Sequence, residues 1–276
     1  MKFVCPICGF GLSAQDNRAV CERGHSFDRA KEGYYNLILN QRKGNHGDNA
    51  DMVLARRAFL GADHYRPLAQ RVAELVAEHT PALGAVLDAG CGEGYYTDIA
   101  ERMLSARDGE SRVYAFDISR DAVRRAAKRN SDISLAVAGS YHMPFSDSAF
   151  DTVMNTFSPL ALSETLRVLK DGGIFVMAIP GEEHLFELKS VIYDTPYRNT
   201  VADTALDGFE LLSDEPLRFV MHLCRPEDIR ALFEMTPYAY RTRPEDKERV
   251  YSLSEIDCTA DFRIFVYKKR AGAKKP

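Results

Sequence analysis

The chain has 276 residues, with 36 Lys plus Arg against 40 Asp plus Glu, a formal net charge of −4. At about 150 residues per domain this is room for one large core and a small appendage. The 45% hydrophobic and 28% charged composition excludes a disordered or fibrous chain. No apolar run reaches the roughly 18 residues of a membrane-spanning helix, and the amino end carries no signal-type apolar stretch. A cytoplasmic chain without membrane association is therefore expected, and the acidic balance means that nucleic-acid binding requires a local basic patch.

The six cysteines are unevenly placed. Cys5, Cys8 and Cys21 fall in the first 21 residues, and His25 completes the pattern Cys5-x2-Cys8-x12-Cys21-x3-His25. In a reducing compartment such a cluster points to metal rather than disulfides. Two knuckles turn three thiolates and an imidazole inward as a tetrahedron, a set that suits Zn2+ and leaves no open position for a substrate water. The site is expected to be structural. So few residues bury too little apolar surface to fold alone, and the metal supplies the missing free energy.

Beyond the knuckles, the polar stretch Asn40 to Asp51 reads as a loop. Met52 to Phe59 and Pro67 to His79 read as helices, the second with Leu68, Val72, Leu75 and Val76 on one face. Pro81 and Gly84 then open a regular alternation. Strands are expected at 85–88, 113–117, 135–138, 152–154 and 174–179, and helices at 96–104, from Ser119 to about Arg129, at 163–169 and at 183–193. Such alternation implies a parallel α/β sheet covered on both faces, a doubly wound fold. The tail departs from it, with a strand at 219–221, a helix at 226–235 and a strand at 261–267 that suggest a closing antiparallel pair. The last residues, including Lys274 and Lys275, are basic and expected to fray.

The first strand of the alternation runs into Asp88-Ala89-Gly90-Cys91-Gly92-Glu93-Gly94-Tyr95-Tyr96. Glycines here let the backbone turn sharply and approach a ligand at the carboxyl end of the strand. A dinucleotide site has G-x-G-x-x-G, with a diphosphate on the helix amino terminus. Asp-x-Gly-x-Gly-x-Gly instead places an acid where the cationic end of a methionine-like ligand is better served. Asp117 ends the next strand, 23 residues beyond Gly94, placed to accept both ribose hydroxyls. The combination of Asp88, Gly90, Gly92 and Asp117 matches the Rossmann-like class I methyltransferases that use S-adenosylmethionine.

With the knuckles and this motif on one chain, the sequence resembles the bacterial 23S ribosomal RNA guanine-N1 methyltransferases of the RlmA type. The resemblance rests on Cys5-Pro6-x-Cys8, Phe27-Asp28-x-Ala30-Lys31-Glu32-Gly33-Tyr34, Ala55-Arg56-Arg57-Ala58-Phe59-Leu60, and His64-Tyr65-x-Pro67-Leu68. It continues through the glycine motif, Pro144-Phe145-Ser146-Asp147, Glu183-His184-Leu185-x-Glu187-Leu188-Lys189 and Met235-Thr236-Pro237. It implies a zinc ribbon over residues 1–35 that helps grip RNA, a loop and helical linker over 36–80, and a methyltransferase domain over 81–276. It also implies a homodimer, a 23S rRNA hairpin as partner, and methyl transfer to N1 of one guanine.

Cofactor contacts implied by the resemblance are Tyr65, Glu93, Gly94 and His184, with Ser140 at the end of the third strand serving the adenine. In N-methyltransferases of this class the end of the fourth strand holds the target nitrogen, which here singles out Asn155 for the guanine edge and Phe157 for stacking. The target base has to be unpaired or flipped, and a base or water has to take the N1 proton. His184 is the one histidine suited to that task. Candidates for RNA contact are Arg18, Arg23, Arg29 and Lys31 of the ribbon, Arg42 and Lys43 of the loop, and Arg56 and Arg57. Two other readings stand beside this one: a small-molecule methyltransferase whose ribbon serves dimerisation, and a non-catalytic, zinc-dependent RNA-binding factor.

Overall fold

The computed structural model of the protein describes residues 2–39, 49–201 and 204–273. Strands β1 (Leu12–Gln15), β2 (Arg18–Cys21) and β3 (Ser26–Asp28) form a small antiparallel sheet in that order. Strand β4 (Tyr35–Asn36) leaves it for the edge of the large sheet. Helices α1 (Ala50–Gly61) and α2 (Arg66–His79) come next. The alternation then runs β5 (Ala85–Ala89), α3 (Tyr95–Asp108), β6 (Arg112–Asp117), α4 (Arg120–Arg129), β7 (Ser134–Val137), β8 (Phe150–Thr156), α5 (Leu162–Val168), β9 (Leu169–Pro180) and α6 (Phe186–Ile192). The tail adds β10 (Phe209–Leu223), α7 (Pro226–Glu234), α8 (Tyr238–Arg241), α9 (Pro244–Tyr251) and β11 (Ile256–Lys269).

The eight strands of the large sheet lie in the order β10-β11-β9-β8-β5-β6-β7-β4. All are parallel except β11 and β10, which close one edge antiparallel. Strand order reverses between β5 and β8, the switch point outside which an open sheet binds its ligand.

Side chains alternate across each strand, so the sheet has two apolar faces. Val86, Val113, Val137, Met154 and Val176 face one core, which α1, α2, α3 and α7 cover through residues such as Phe59, Leu68, Val72, Leu104 and Leu232. Leu87, Phe116, Ala136, Val153 and Phe175 face the other. There the zinc-ligand segment itself does much of the covering, through Phe3, Leu12, Ala19, Tyr35 and Leu37. Phe3 is 2% exposed and packs against Tyr35, Tyr114 and Phe145 at centroid distances of 6.2, 5.9 and 5.1 Å. Beside it the Val4 N–H donates to the Pro144 carbonyl at 2.9 Å. The Met143-Pro144-Phe145 turn is thus the seat of the amino-terminal segment.

Several elements differ from the sequence expectation. Helix α1 begins at Ala50, two residues early, because the Asn49 side chain caps it by accepting from Met52 N–H at 2.9 Å. The helix expected from residue 183 starts only at Phe186. Asp261 holds the preceding turn by accepting from Glu183 N–H at 2.9 Å and, through its carbonyl, from Gly181 N–H at 2.8 Å. The strand expected at 219–221 is the end of the 15-residue β10, whose exposed, partly acidic outer half lacks the apolar signature of a buried strand. Helices α8 and α9 and the strands β1 to β4 lie outside the sequence expectation, since segments of two to eight residues are too short to carry a periodic apolar signal. The Arg42–Lys43 segment and Lys274–Lys275 lie outside the described residues.

Candidate active site and metal centre

Each knuckle is a tight turn closed by a backbone bond. Gly9 N–H donates to the Cys5 carbonyl at 2.8 Å, and Gly24 N–H to the Cys21 carbonyl at 2.9 Å. The turns bring His25 Nδ1 within 3.5 Å of Cys5 Sγ and 3.4 Å of Cys21 Sγ, and Cys8 Sγ within 3.6 Å of Cys21 Sγ. All four ligand atoms lie within 4.8 Å of one another. Metal–sulfur bonds of about 2.3 Å and metal–nitrogen bonds of about 2.0–2.1 Å give tetrahedral edges of roughly 3.5–3.8 Å. Cys5, Cys8, Cys21 and His25 are therefore positioned to bind zinc, and four protein ligands close the site to substrate.

A cleft of about 1440 Å³ opens at the carboxyl ends of β5, β6 and β8. Of the residues singled out in the sequence, Tyr65, Asp88, Gly90, Gly92, Glu93, Asp117, Ser140, Phe157 and His184 line it. Asp88 is 2% exposed. Its Oδ2 accepts from the Thr97 hydroxyl at 2.5 Å, while its buried Oδ1 has no partner among the described residues. Burial, aided by the nearby Asp117 charge and opposed by the Thr97 bond, pushes the Asp88 carboxyl up to about 7. A buried carboxylate oxygen without a partner fits a ligand that brings a cation. Asp117 is fixed at the end of β6 by Gly92 N–H and Ser119 N–H, which donate to its carboxylate at 2.9 and 2.8 Å.

Gly90 has φ +93, and a Cβ there would lie 2.0 Å from Ser158 Oγ and 2.5 Å from Ser158 Cβ. The first glycine of the motif thus lets the loop pass under the end of β8. Gly94 is different. It does not line the cleft; it has φ +84, and a Cβ there would meet Ala126 Cβ at 2.9 Å. Its lack of a side chain serves the contact between α3 and α4. Glu93 is buried, and its carboxylate takes two bonds from Arg129 Nη2 at 3.0 and 2.7 Å.

His184 lies on the turn before α6, far from Tyr65 in sequence, yet its Nε2 is 3.3 Å from the Tyr65 hydroxyl. Its Nδ1 accepts from Asp261 N–H at 3.3 Å, which assigns the ring proton to Nε2. Burial and the nearby Lys189 charge hold the imidazole down to about 3. Both nitrogens are therefore partnered in this fold, so the one histidine candidate for the N1 proton has no free lone pair to take it. Instead it orients Tyr65.

At the end of β8 the structure separates the two residues proposed for the target. Asn155 is buried and does not line the cleft; its Nδ2 donates to the Ala89 carbonyl at 3.1 Å and ties β8 to β5. Phe157 does line it, 39% exposed, at φ +60, a conformation an L side chain rarely holds without a surrounding that dictates it. Sequence reasoning missed Thr156 and Tyr96, which also line the cleft and whose hydroxyls are buried without a partner among the described residues. Thr156 is one step from Asn155, and one step along a strand changes faces. Tyr96 sat in the quoted glycine motif, a signal that was available. Met235, Thr236 and Pro237 line the cleft as well.

The cations proposed for RNA are dispersed. Arg18, Arg23, Arg29, Lys31 and Arg57 are exposed, with Arg23 4.9 Å over the Phe10 ring. Arg56 is half-buried in the cleft wall, and its Nη2 donates to the Met235 carbonyl at 3.4 Å.

Comparison with known proteins agrees with this geometry. A family model described as "RlmA, N-terminal" matches residues 3–46, and one described as "Methyltransferase domain" matches residues 86–173. The 23S rRNA (guanine(748)-N(1))-methyltransferase of Streptomyces fradiae is 32% identical over 253 residues, covering 89% of this chain and 88% of that protein. YxjB of Bacillus subtilis, which bears a 23S rRNA (guanine-N(1)-)-methyltransferase name as a provisional assignment, is 32% identical over 281 residues, 97% of each chain. Among solved structures, YcgJ of Bacillus subtilis superposes with TM-score 0.50 at 15% identity over 73% of this chain and 98% of that one, a likeness of fold. Fold, glycine loop and paired acids define an S-adenosylmethionine-dependent methyltransferase of the Rossmann-like class, carrying a zinc ribbon. More narrowly, the chain belongs to the family of 23S rRNA (guanine-N1)-methyltransferases of the RlmA type.

Proposed function

We propose that this protein methylates N1 of a guanine in a 23S rRNA hairpin loop. The observation that carries the reading is that Pro6, between the zinc ligands Cys5 and Cys8, lines the same cleft as Asp88 and Phe157. RNA held by the ribbon is thereby delivered to the glycine loop. Residues 1–35 grip the RNA in this reading, 36–80 bridge, and 81–276 carry the chemistry.

When bound, S-adenosylmethionine supplies a methyl group on a cationic sulfur, already a good leaving group. Asp88 holds the ammonium, Asp117 the ribose hydroxyls, and Ser140 the adenine side. Tyr65 receives the His184 Nε2–H and so turns its own hydroxyl proton toward the cleft. Glu93 acts through its pair with Arg129, which braces the glycine loop against α4. Phe157 stacks on the extruded guanine. The main contribution of the protein is alignment of the nucleophile with the methyl, an effect of up to about 7–11 kcal/mol. The N1 proton passes to water or to a group the RNA brings, since His184 is committed at both nitrogens. Action as a homodimer in the cytoplasm is part of this reading, and sedimentation velocity tests the first.

Reverse transcription of 23S rRNA tests the activity, because an N1 methyl blocks the pairing edge and stops the polymerase. A stop that disappears on gene deletion and returns with protein plus S-adenosylmethionine is expected. An unchanged profile, with cofactor binding intact, refutes the rRNA substrate and favours a small-molecule acceptor.

A further inference from the structure

Although the chain is acidic overall, α4 carries Arg120, Arg124, Arg125, Lys128 and Arg129 against the single acid Asp121. Arg129 turns inward to Glu93. The apolar side of the helix, Ala122, Val123, Ala126 and Ala127, is buried, and Arg125 is half-buried, so Arg120, Arg124 and Lys128 form the exposed outer face. The ribbon joins that face at two points. Arg120 Nε donates to the Tyr34 hydroxyl at 3.4 Å, and Lys128 Nζ is 3.8 Å from Glu32. The hairpin at 29–33, which these contacts seat beside α4, brings exposed Arg29 and Lys31. At its Arg120 end the face also reaches the cleft mouth, which Arg120 lines together with Tyr141, an aromatic ring left 68% exposed.

We propose that the outer face of α4, continuous with the ribbon hairpin, is the surface on which the phosphodiester backbone of the RNA substrate docks, with Tyr141 as a stacking platform for a base beside the cleft. The inference rests on the RNA reading given above. Charge complementarity carries it: this is the local patch that an acidic chain needs in order to hold a polyanion, and an exposed aromatic at its cleft end is what a single-stranded loop uses. The ion pairs of Arg124 with Asp121 and Lys128 with Glu32 are solvent-facing and easily exchanged for phosphate. Neither Arg124 nor Lys128 lines the cleft, and Lys128, whose partner Glu32 also lies outside it, is the substitution that leaves cofactor binding alone, whereas Arg124 pairs with the cleft residue Asp121.

The test uses the full-length zinc-loaded protein and a 23S hairpin transcript. Arg124→Gln/Lys128→Gln is compared with wild type and with Arg230→Gln on α7, measuring RNA affinity across salt, S-adenosylmethionine affinity by calorimetry, and methylation kinetics. Removal of two phosphate contacts lowers the slope of log K against log salt by about 1.4–1.8 and weakens binding roughly tenfold or more at 50 mM salt. KM for RNA rises by the same factor while kcat holds, and Lys128→Gln alone gives about half the change in slope with cofactor affinity unchanged. Slopes and affinities equal to those of wild type and Arg230→Gln overturn the surface while leaving the substrate reading intact. A wild-type protein that binds S-adenosylmethionine but no rRNA hairpin overturns the substrate reading and this surface with it.

Discussion

Replacing Asp88 by Asn removes a charge without changing shape, at the one cleft carboxylate whose Oδ1 lacks a partner among the described residues. In the cofactor-free fold its carboxyl stands at about 7, against an ordinary 3.8, because burial disfavours the ionised form. The sign follows from linkage. A raised acid gives stability that is fully present below the unfolded value and is lost as pH rises through about 7. At about 1.4 kcal/mol per pH unit, the loss at pH 8 is on the order of 4 kcal/mol. Asp88→Asn avoids that loss but leaves an amide N–H short of a partner, a cost of about 1–3 kcal/mol. The cofactor-free variant is therefore expected to be about 1–3 kcal/mol more stable than wild type at pH 8 by urea unfolding.

Cofactor binding moves the other way. If the ammonium is held by the ionised carboxylate, about a tenth of the sites are competent at pH 6 and about nine-tenths at pH 8, a tenfold gain in affinity. Asp88→Asn removes the pH dependence and weakens binding about 10- to 100-fold at pH 8, the loss of one charge-assisted hydrogen bond. Calorimetry with S-adenosylmethionine at pH 6, 7 and 8 measures both. Equal wild-type affinity at pH 6 and 8, or a variant within twofold of wild type at pH 8, refutes the assignment of Asp88 to the ammonium.

Other expectations follow from the same contacts. Gly94→Ala combines φ +84 with a Cβ 2.9 Å from that of Ala126; it should cost about 2–4 kcal/mol in urea unfolding, and a cost under 0.5 kcal/mol contradicts the packing role. Asn155→Ala should destabilise by about 1–2 kcal/mol, the loss of a buried bond to Ala89, and leave kcat of the folded enzyme within threefold. Phe157→Ala should instead cut kcat/KM for RNA at least tenfold with S-adenosylmethionine affinity unchanged; the reverse pattern in these two variants would return Asn155 to the target site. Because His184 is neutral above about pH 3, any acidic limb in the rate between pH 5 and 8 should persist at the same midpoint in His184→Gln. Chelation of zinc should expose the face covered by Phe3 and Leu12, read as dye binding, and removal of metal without that exposure argues against the ribbon as a cover for the sheet.

Much of this molecule is written locally in its sequence. The knuckle spacing of Cys5, Cys8, Cys21 and His25 determines a four-ligand metal set, because knuckle turns and ligand chemistry act over a few residues. The acid–glycine loop from Asp88 and the acid of Asp117, each at the end of an apolar strand, determine where the cofactor cleft opens. Tertiary structure alone decided the rest, for reasons of distance and direction. Tyr65 meets His184 across 119 positions, and the hydrogen bond from Asp261 that sets the ring proton comes across another 77 on the other side. Asn155 and Thr156 are equivalent as letters, but strand alternation turns one into the β5–β8 seam and the other toward the cleft. Gly94 looks like part of a ligand loop until α4 is packed against it. The ribbon, an appendage in sequence, covers one face of the sheet because Phe3 and β4 find Phe145 and β7. Such contacts depend on which distant surfaces the fold brings together, and no local pattern encodes them.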